Sequence, residues 1–121
     1  MQTADATDLF LALSSAVRLE IFRSLVRHEP TGLVAGEIAS LLGVTPANLS
    51  FHLKTLSRAG LVYVTAEGRF QRYRARLEMV EALVGFLTHE CCHGNPGLCA
   101  GLAPAAACVP SAATPRRAPR R

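Results

Sequence analysis

Apolar and polar positions follow two different periods along this chain, and the changes of period mark its elements. Leu9, Phe10 and Leu13 recur at helical spacing, and Ser14 or Ser15 can cap the segment that follows. The next helical stripe is Val17, Ile21, Phe22, Leu25 and Val26, with Arg18, Glu20, Arg23 and Arg27 outside it. Glu29-Pro30-Thr31-Gly32 breaks that helix. Ala35 to Leu42 predicts a short helix with Ile38, Leu41 and Leu42 inward, stopped by Gly43, a residue at ease with the left-handed backbone past a helix end. Thr45 and Pro46 then open a further helix, one as the capping hydroxyl and the other at N1, where a missing N–H costs nothing. It runs to about Ala59, with Gly60 beyond its end.

After Gly60 the period shortens. Leu61-Val62-Tyr63-Val64-Thr65 is β-branched and aromatic, Ala66-Glu67-Gly68-Arg69 is a turn, and Phe70 to Ala75 alternates, which together predict a two-stranded hairpin. From Leu77 to about Glu90 the helical period returns, with Val80, Leu83, Val84 and Leu87 as one stripe and Met79 and Phe86 widening it. A helix this apolar on more than one side is expected to meet a second chain as well as its own core. The Gly43-Val44-Thr45 link has the length of a helix-turn-helix turn, and a hairpin follows directly. The fold expected is therefore mainly α with a two-stranded hairpin (α+β), a winged helix-turn-helix.

The helix after Thr45 has two separable faces. Leu49, Leu53 and Leu56 stand at i, i+4 and i+7 and face the core, while Ala47, Ser50, Phe51 and Lys54 lie on another side. Small and polar groups suit a major groove, where side chains approach base edges closely. Ser50 can bond a base edge or a phosphate, Ala47 or Phe51 can touch a thymine methyl, and Lys54 can neutralise a phosphate. Packing on a neighbouring helix is an equal alternative for Phe51. Asn48 and His52 lie between the faces and are expected to make structural hydrogen bonds. On the hairpin, Arg72 and Arg74 are expected to turn outward with Arg69, and Tyr73 inward.

Charge supports this reading once it is located. Of the net charge of +4, the terminal Arg116, Arg117, Arg120 and Arg121 supply four units, and the remainder is uneven. Residues 46–76 hold Lys54, Arg58, Arg69, Arg72, Arg74 and Arg76 against Glu67 alone, whereas residues 1–45 and 77–115 are both net acidic. A cationic patch confined to the helix-and-hairpin segment is the footprint of a polyanion binder. The candidate DNA contacts are Thr45, Ala47, Ser50, Phe51, Lys54, Arg69, Arg72 and Arg74. At 121 residues the chain has room for one core, and half of its residues are apolar. It has no apolar run of the roughly 18 residues that span a bilayer, and its first eight residues carry acids and no base. A soluble, cytoplasmic protein with no membrane partner is expected.

Three stretches carry a resemblance: Ala16-Val17-Arg18-Leu19-Glu20-Ile21, then Ala47-Asn48-Leu49-Ser50-Phe51-His52-Leu53-Lys54-Thr55-Leu56, and Ala59-Gly60-Leu61-Val62. Together they resemble the ArsR/SmtB family of bacterial metal-sensing repressors, over roughly residues 5–92. The resemblance implies a homodimer joined through its first and last helices, with two recognition helices in successive major grooves of an inverted-repeat DNA operator. Leu9, Phe10, Leu13, Leu83 and Leu87 are the apolar residues that suit such a dimer. The division expected is a DNA-binding and dimerisation domain over 1–92, and a metalloid-binding loop with an Ala/Pro/Arg tail over 93–121, disordered from about Gly101.

Cys91, Cys92, Cys99 and Cys108 all follow the DNA-binding segment. In a cytosolic chain such clustering points to metal or redox chemistry more than to structural disulfides. His93-Gly94-Asn95-Pro96-Gly97 can reverse the chain and return Cys99 to the Cys91-Cys92 pair. Three thiolates on one side fit As(III) or Sb(III), which bind sulfur pyramidally; Zn(II) wants a closed tetrahedron and would have to recruit His89, His93 or Cys108. Many family members carry Cys-x-Cys before the recognition helix, where this chain reads Glu37-Ile38-Ala39-Ser40. Cys91, Cys92 and Cys99 instead resemble the arsenite-responsive subgroup whose site lies at the end of the last helix. Methylarsenite, a soft divalent metal and thiol oxidation remain alternatives at the same cysteines. No permanent cofactor is implied. A thiol-dependent enzyme is disfavoured, because there is no phosphate-binding loop and no Cys-x-x-Cys in a βαβ setting.

Overall fold

A computed structural model of the chain describes residues 1–89. The element order is α1 (Thr3–Leu13), α2 (Ala16–Arg27), β1 (Leu33–Val34), α3 (Ala35–Leu42), α4 (Pro46–Arg58), β2 (Val62–Glu67), β3 (Phe70–Ala75) and α5 (Leu77–Thr88). Local chemistry places most of these boundaries. The Ser15 hydroxyl accepts from the Arg18 N–H to start α2, and the Glu37 carboxylate accepts from the Val34 N–H ahead of α3. Gly43 closes α3 in the left-handed region at φ +66°.

One core joins all five helices to the sheet. Ile21 and Leu25 of α2, Ile38 of α3, Leu56 of α4 and Leu61 are fully buried at its centre, and Leu9, Leu33, Val62, Ala75 and Leu83 close it. Two stripes read from periodicity sit differently from expectation. Val26 is exposed, because α2 turns the side bearing Ile21, Ser24 and Leu25 inward and so buries polar Ser24 while leaving Val26 at the edge. Leu41 is exposed as well, because Ile38, Ala39 and Leu42 fill the inward side of the two-turn α3.

The sheet has three strands, not the two predicted. Its order is β1-β3-β2, with β1 pairing antiparallel through Leu33↔Tyr73 and Val34↔Arg72, and β2 pairing from Val62↔Ala75 to Glu67↔Phe70. Two residues are too few to show a period of two, so β1 left no pattern in the sequence. Its pairing draws the loop after α2 against β3. There the Glu29 carboxylate accepts from the Ala75 N–H at 3.1 Å. Gly32 takes φ +76°, and a Cβ at that position would collide with the Tyr73 carbonyl oxygen and the Arg74 side chain.

The dimer residues divide. Leu9 and Leu83, at 1% and 7% exposure, belong to this chain's own core and leave almost nothing for a partner, and Leu13 is half-buried against the same core. The amphipathic stripes were read correctly as apolar, but their buried halves are already used within the chain. What stays open on α1 and α5 is Phe10, Leu11 at 66% and Leu87 at 56% exposure, Leu11 not having been foreseen.

Two glycines test the packing argument. Gly32→Ala should destabilise by about 1–3 kcal/mol or more, because it adds backbone strain to a steric clash. Gly36→Ala, on α3 with nothing within 4 Å of the new methyl, should range from neutral to about 1 kcal/mol stabilising. Urea unfolding followed by circular dichroism measures both, and equal effects would contradict the Gly32 packing.

Candidate nucleic-acid interface

Helix α4 is held by one face and open on the other. Leu49, Leu53 and Leu56 are buried, while Ala47, Ser50, Phe51 and Lys54 are all exposed, as their spacing predicts. Thr45 caps α4 by accepting from the Asn48 N–H at 3.2 Å. The first-turn N–H groups of α4 therefore lie on the same open end as Ala47 and Ser50, where the positive end of the helix dipole favours an anion. Lys54 forms no hydrogen bond or ion pair with any described residue and presents its charge to solvent.

Phe51 is 63% exposed, and its ring contact is edge-on to neighbouring His52, with centroids 5.4 Å apart. Within this chain no helix covers it, but it lines a groove with Leu11 of α1, Ser14 just past its end and Met79 of α5, so both of its readings stay open. His52 makes the expected structural bond: its Nδ1 lies 3.1 Å from the Arg18 guanidinium. Asn48 does not make the expected structural bond: its side chain is exposed beside Ala47 with no bond to any described residue, and only its backbone N–H serves the cap.

The wing arginines need correction. Arg72 and Arg74 were expected to stand outward over solvent, yet both are half-buried and engaged inside the chain. Arg72 Nε donates to the Glu67 carboxylate at 3.0 Å and its Nη1 to the Gly32 carbonyl at 3.4 Å. Arg74 Nε donates to the Pro30 carbonyl at 3.0 Å and Nη1 to the Thr65 hydroxyl at 3.2 Å. Alternation along β3 was correct, but the loop after α2, drawn in by β1, supplies carbonyls that no local pattern could reveal. These two arginines splint the wing to that loop. Arg69 is different: it sits exposed at the wing tip beside Gly68, with no bond to any described residue. Tyr73 turns inward as expected, and burial pushes its phenol pKa up, so it stays a neutral hydrogen-bonding group.

Wing and helix meet across a cleft lined by Leu49 and Ser50 on one side and Arg69, Phe70, Gln71 and Tyr73 on the other. Ser50 and Arg69, far apart in sequence, thus flank one concave surface. Phe70 at its rim is an exposed aromatic that sequence reasoning passed over, although its place after Gly68-Arg69 in the turn marks it as a tip residue. Cys91, Cys92, Cys99 and Cys108 lie outside the described residues, as do His93 and the boundary at 92. His89 caps the C-terminal end of α5. Among the described residues, no three His, Cys, Asp or Glu side chains are placed to hold a metal ion, and no helix is long and apolar enough to cross a membrane.

Comparison with known proteins matches this geometry. Residues 13–65, from the end of α1 into the wing, match a helix-turn-helix domain family. The HTH-type transcriptional regulator CmtR of Mycobacterium tuberculosis is 38% identical over 65 residues, 47% of this chain, and the chain spans only 55% of CmtR's length. The transcriptional activator HlyU of Vibrio cholerae is 32% identical over 93 residues, 77% of this chain and 83% of HlyU. The structure superposes on an ArsR-like transcriptional regulator from Rhodococcus sp. RHA1 with a TM-score of 0.67 and 30% identity, over 80% of this chain and 89% of that one. A homodimeric winged helix-turn-helix DNA-binding domain from Mycobacterium bovis, a possible ArsR-family regulator, aligns with a TM-score of 0.56 and 26% identity, over 71% of this chain and 84% of that one. These relatives are transcriptional regulators rather than enzymes. Sharing both the fold and about a third of its residues with such regulators along most of its length, this chain belongs to the ArsR family of winged helix-turn-helix transcriptional regulators.

Proposed function

We propose that the chain is a homodimeric repressor that occupies an inverted-repeat operator and is released when trivalent arsenic, as arsenite, or antimony binds Cys91, Cys92 and Cys99, derepressing arsenic-resistance genes. The observation that carries the DNA half is the open face of α4. Ala47, Ser50, Phe51 and Lys54 stand clear of the core on a capped helix, with Arg69 of the wing across the adjoining cleft. The homodimer is supported by the exposed Phe10, Leu11 and Leu87 on α1 and α5, and by the homodimeric Mycobacterium bovis relative. Polar groups on α4 choose sequence, whereas Lys54 and Arg69 supply salt-dependent attraction to phosphates.

The inducer half rests on sulfur chemistry. Every cysteine of the chain lies in the segment that follows α5, and none lies in the α3 stretch Glu37-Ile38-Ala39-Ser40. Three thiolates complete the pyramidal coordination of As(III) with no further ligand. Arsenic and DNA would then weaken each other's binding by the same factor. Thiol oxidation at the same cysteines is the second reading. The solved reduced form of HlyU, 32% identical over 74% of this chain, is the observation in its favour.

The DNA reading is checked on a duplex selected by the parent protein from a random-sequence library. Ser50→Ala should lose about 1–3 kcal/mol on that duplex and little on mixed-sequence DNA. Lys54→Ala and Arg69→Ala should weaken both alike and lower the salt slope by about one each. Arg72→Ala should instead lower stability by about 1–2 kcal/mol, since it removes a half-buried ion pair with Glu67 and the bond to the Gly32 carbonyl. If Arg69→Ala left the salt slope unchanged, the wing tip would have no phosphate contact.

Assembly and induction have separate tests. Leu87→Asp should give a folded monomer with poor duplex affinity, visible by light scattering. A dimer surviving that change would remove α5 from the interface. Cys91→Ser, Cys92→Ser and Cys99→Ser should each bind the selected duplex normally and stay bound in arsenite, while Cys108→Ser is released like the parent. Release of Cys99→Ser by methylarsenite alone would make the inducer a two-thiolate arsenical. Release of the parent by peroxide but not by arsenite would favour the oxidation reading.

A further inference from the structure

Two of the sequence stretches that carry the family resemblance meet at one side chain. Arg18, at the third position of α2, sends its Nε to the Ala12 carbonyl at the C-terminal end of α1, at 2.6 Å. Its Nη1 reaches the Nδ1 of His52, in the middle of α4, at 3.1 Å. A guanidinium can only donate, so Nδ1 must be the acceptor and the ring proton must sit on Nε2. His52 in turn sets its ring edge-on against Phe51, which belongs to the open face of α4. A single planar fork thus ties the end of α1, the start of α2 and the reading helix together. It lies beside a groove between α1, α4 and α5, away from the wing.

We propose that Arg18 is the positioning residue of the reading head: it sets the angle of α4 against α1, and so aims the open face of α4. The inference rests on the DNA-binding dimer proposed above, and it identifies the link through which α1, with its exposed Phe10 and Leu11, is coupled to α4. In a dimer joined through α1 and α5, a small rotation of α4 against α1 is repeated by symmetry in the partner. The separation of the two reading helices would change with it, and the preferred half-site spacing follows. Lysine cannot replace the fork: it keeps the charge but lacks a rigid pair of donors pointing at Ala12 and His52 together. Glutamine can replace the imidazole acceptor with its side-chain oxygen, whereas leucine cannot.

The test uses the full chain, its library-selected duplex, versions of that duplex with one base pair added or removed at the centre, and poly(dI-dC) as non-specific DNA. Arg18→Lys and His52→Leu should lose about tenfold or more on the selected duplex. Both should bind poly(dI-dC) like the parent and discriminate less among the spacings. His52→Gln should keep the parent's preference. Independently of DNA, long-range ¹H–¹⁵N spectra should show His52 as a single Nε2–H tautomer in the parent and as a tautomer mixture in Arg18→Lys. Equal losses on every DNA would mean that Arg18 merely stabilises the fold, and an unchanged spacing preference in Arg18→Lys would remove its positioning role. A protonated Nδ1 in the parent would break the bridge itself. A parent that bound no duplex would instead overturn the DNA reading on which the inference stands, a result visible before any variant is made.

Discussion

Three leucines decide what this protein can present to a partner. Leu49, Leu53 and Leu56 anchor α4 in the common core, and each fully buried leucine contributes about 1.5–3 kcal/mol relative to an exposed one. Burying that stripe leaves α4 one rotation about its own axis, with Ala47, Ser50, Phe51 and Lys54 outward. A turn of even one residue would bury Ser50 or Lys54 without partners, a cost that few contacts could offset. The outward face of α4 is open because its opposite face is closed.

The wing depends on the same economy of partners. Arg72 and Arg74 lie in the cationic segment and could serve DNA by charge alone, but β1 brings the carbonyls of Pro30 and Gly32 within reach and they are taken up there. Gly32 makes this possible, since any side chain would strike β3. The hairpin gains stiffness and loses two free cations. Lys54 and Arg69 are then the DNA-candidate cations without a bond to any described residue, one on the helix and one at the wing tip. In the proposed function the exposed cations would attract phosphates, while the engaged arginines hold the wing to the loop after α2.

Arg18 shows the same division inside the helical layer. The sequence placed it outside the apolar stripe of α2 and assigned it no task, because its partners stand on α1 and on α4. His52 offered a weak signal, lying between the buried and open faces where a polar ring needs a bond. The bridge reaches the open surface only through the edge-on contact of His52 with Phe51, and in the proposal above it sets the direction of the helix that carries that face.

Local physics was sufficient for the helices, the caps at Ser15 and Thr45, the helix-turn-helix link, the hairpin and the exposed face of α4. Each depends on periodicity or on groups a few residues apart, which any window of sequence contains. Tertiary structure alone decided the third strand, the employment of Arg72 and Arg74, the Arg18–His52 bridge, and the split of the α1 and α5 apolar residues into core and open surface. A two-residue strand has no period. A guanidinium selects among acceptors only when distant segments are brought beside it. An apolar stripe says that a face must be covered but not by which chain, because the hydrophobic effect is proportional to area and has no direction.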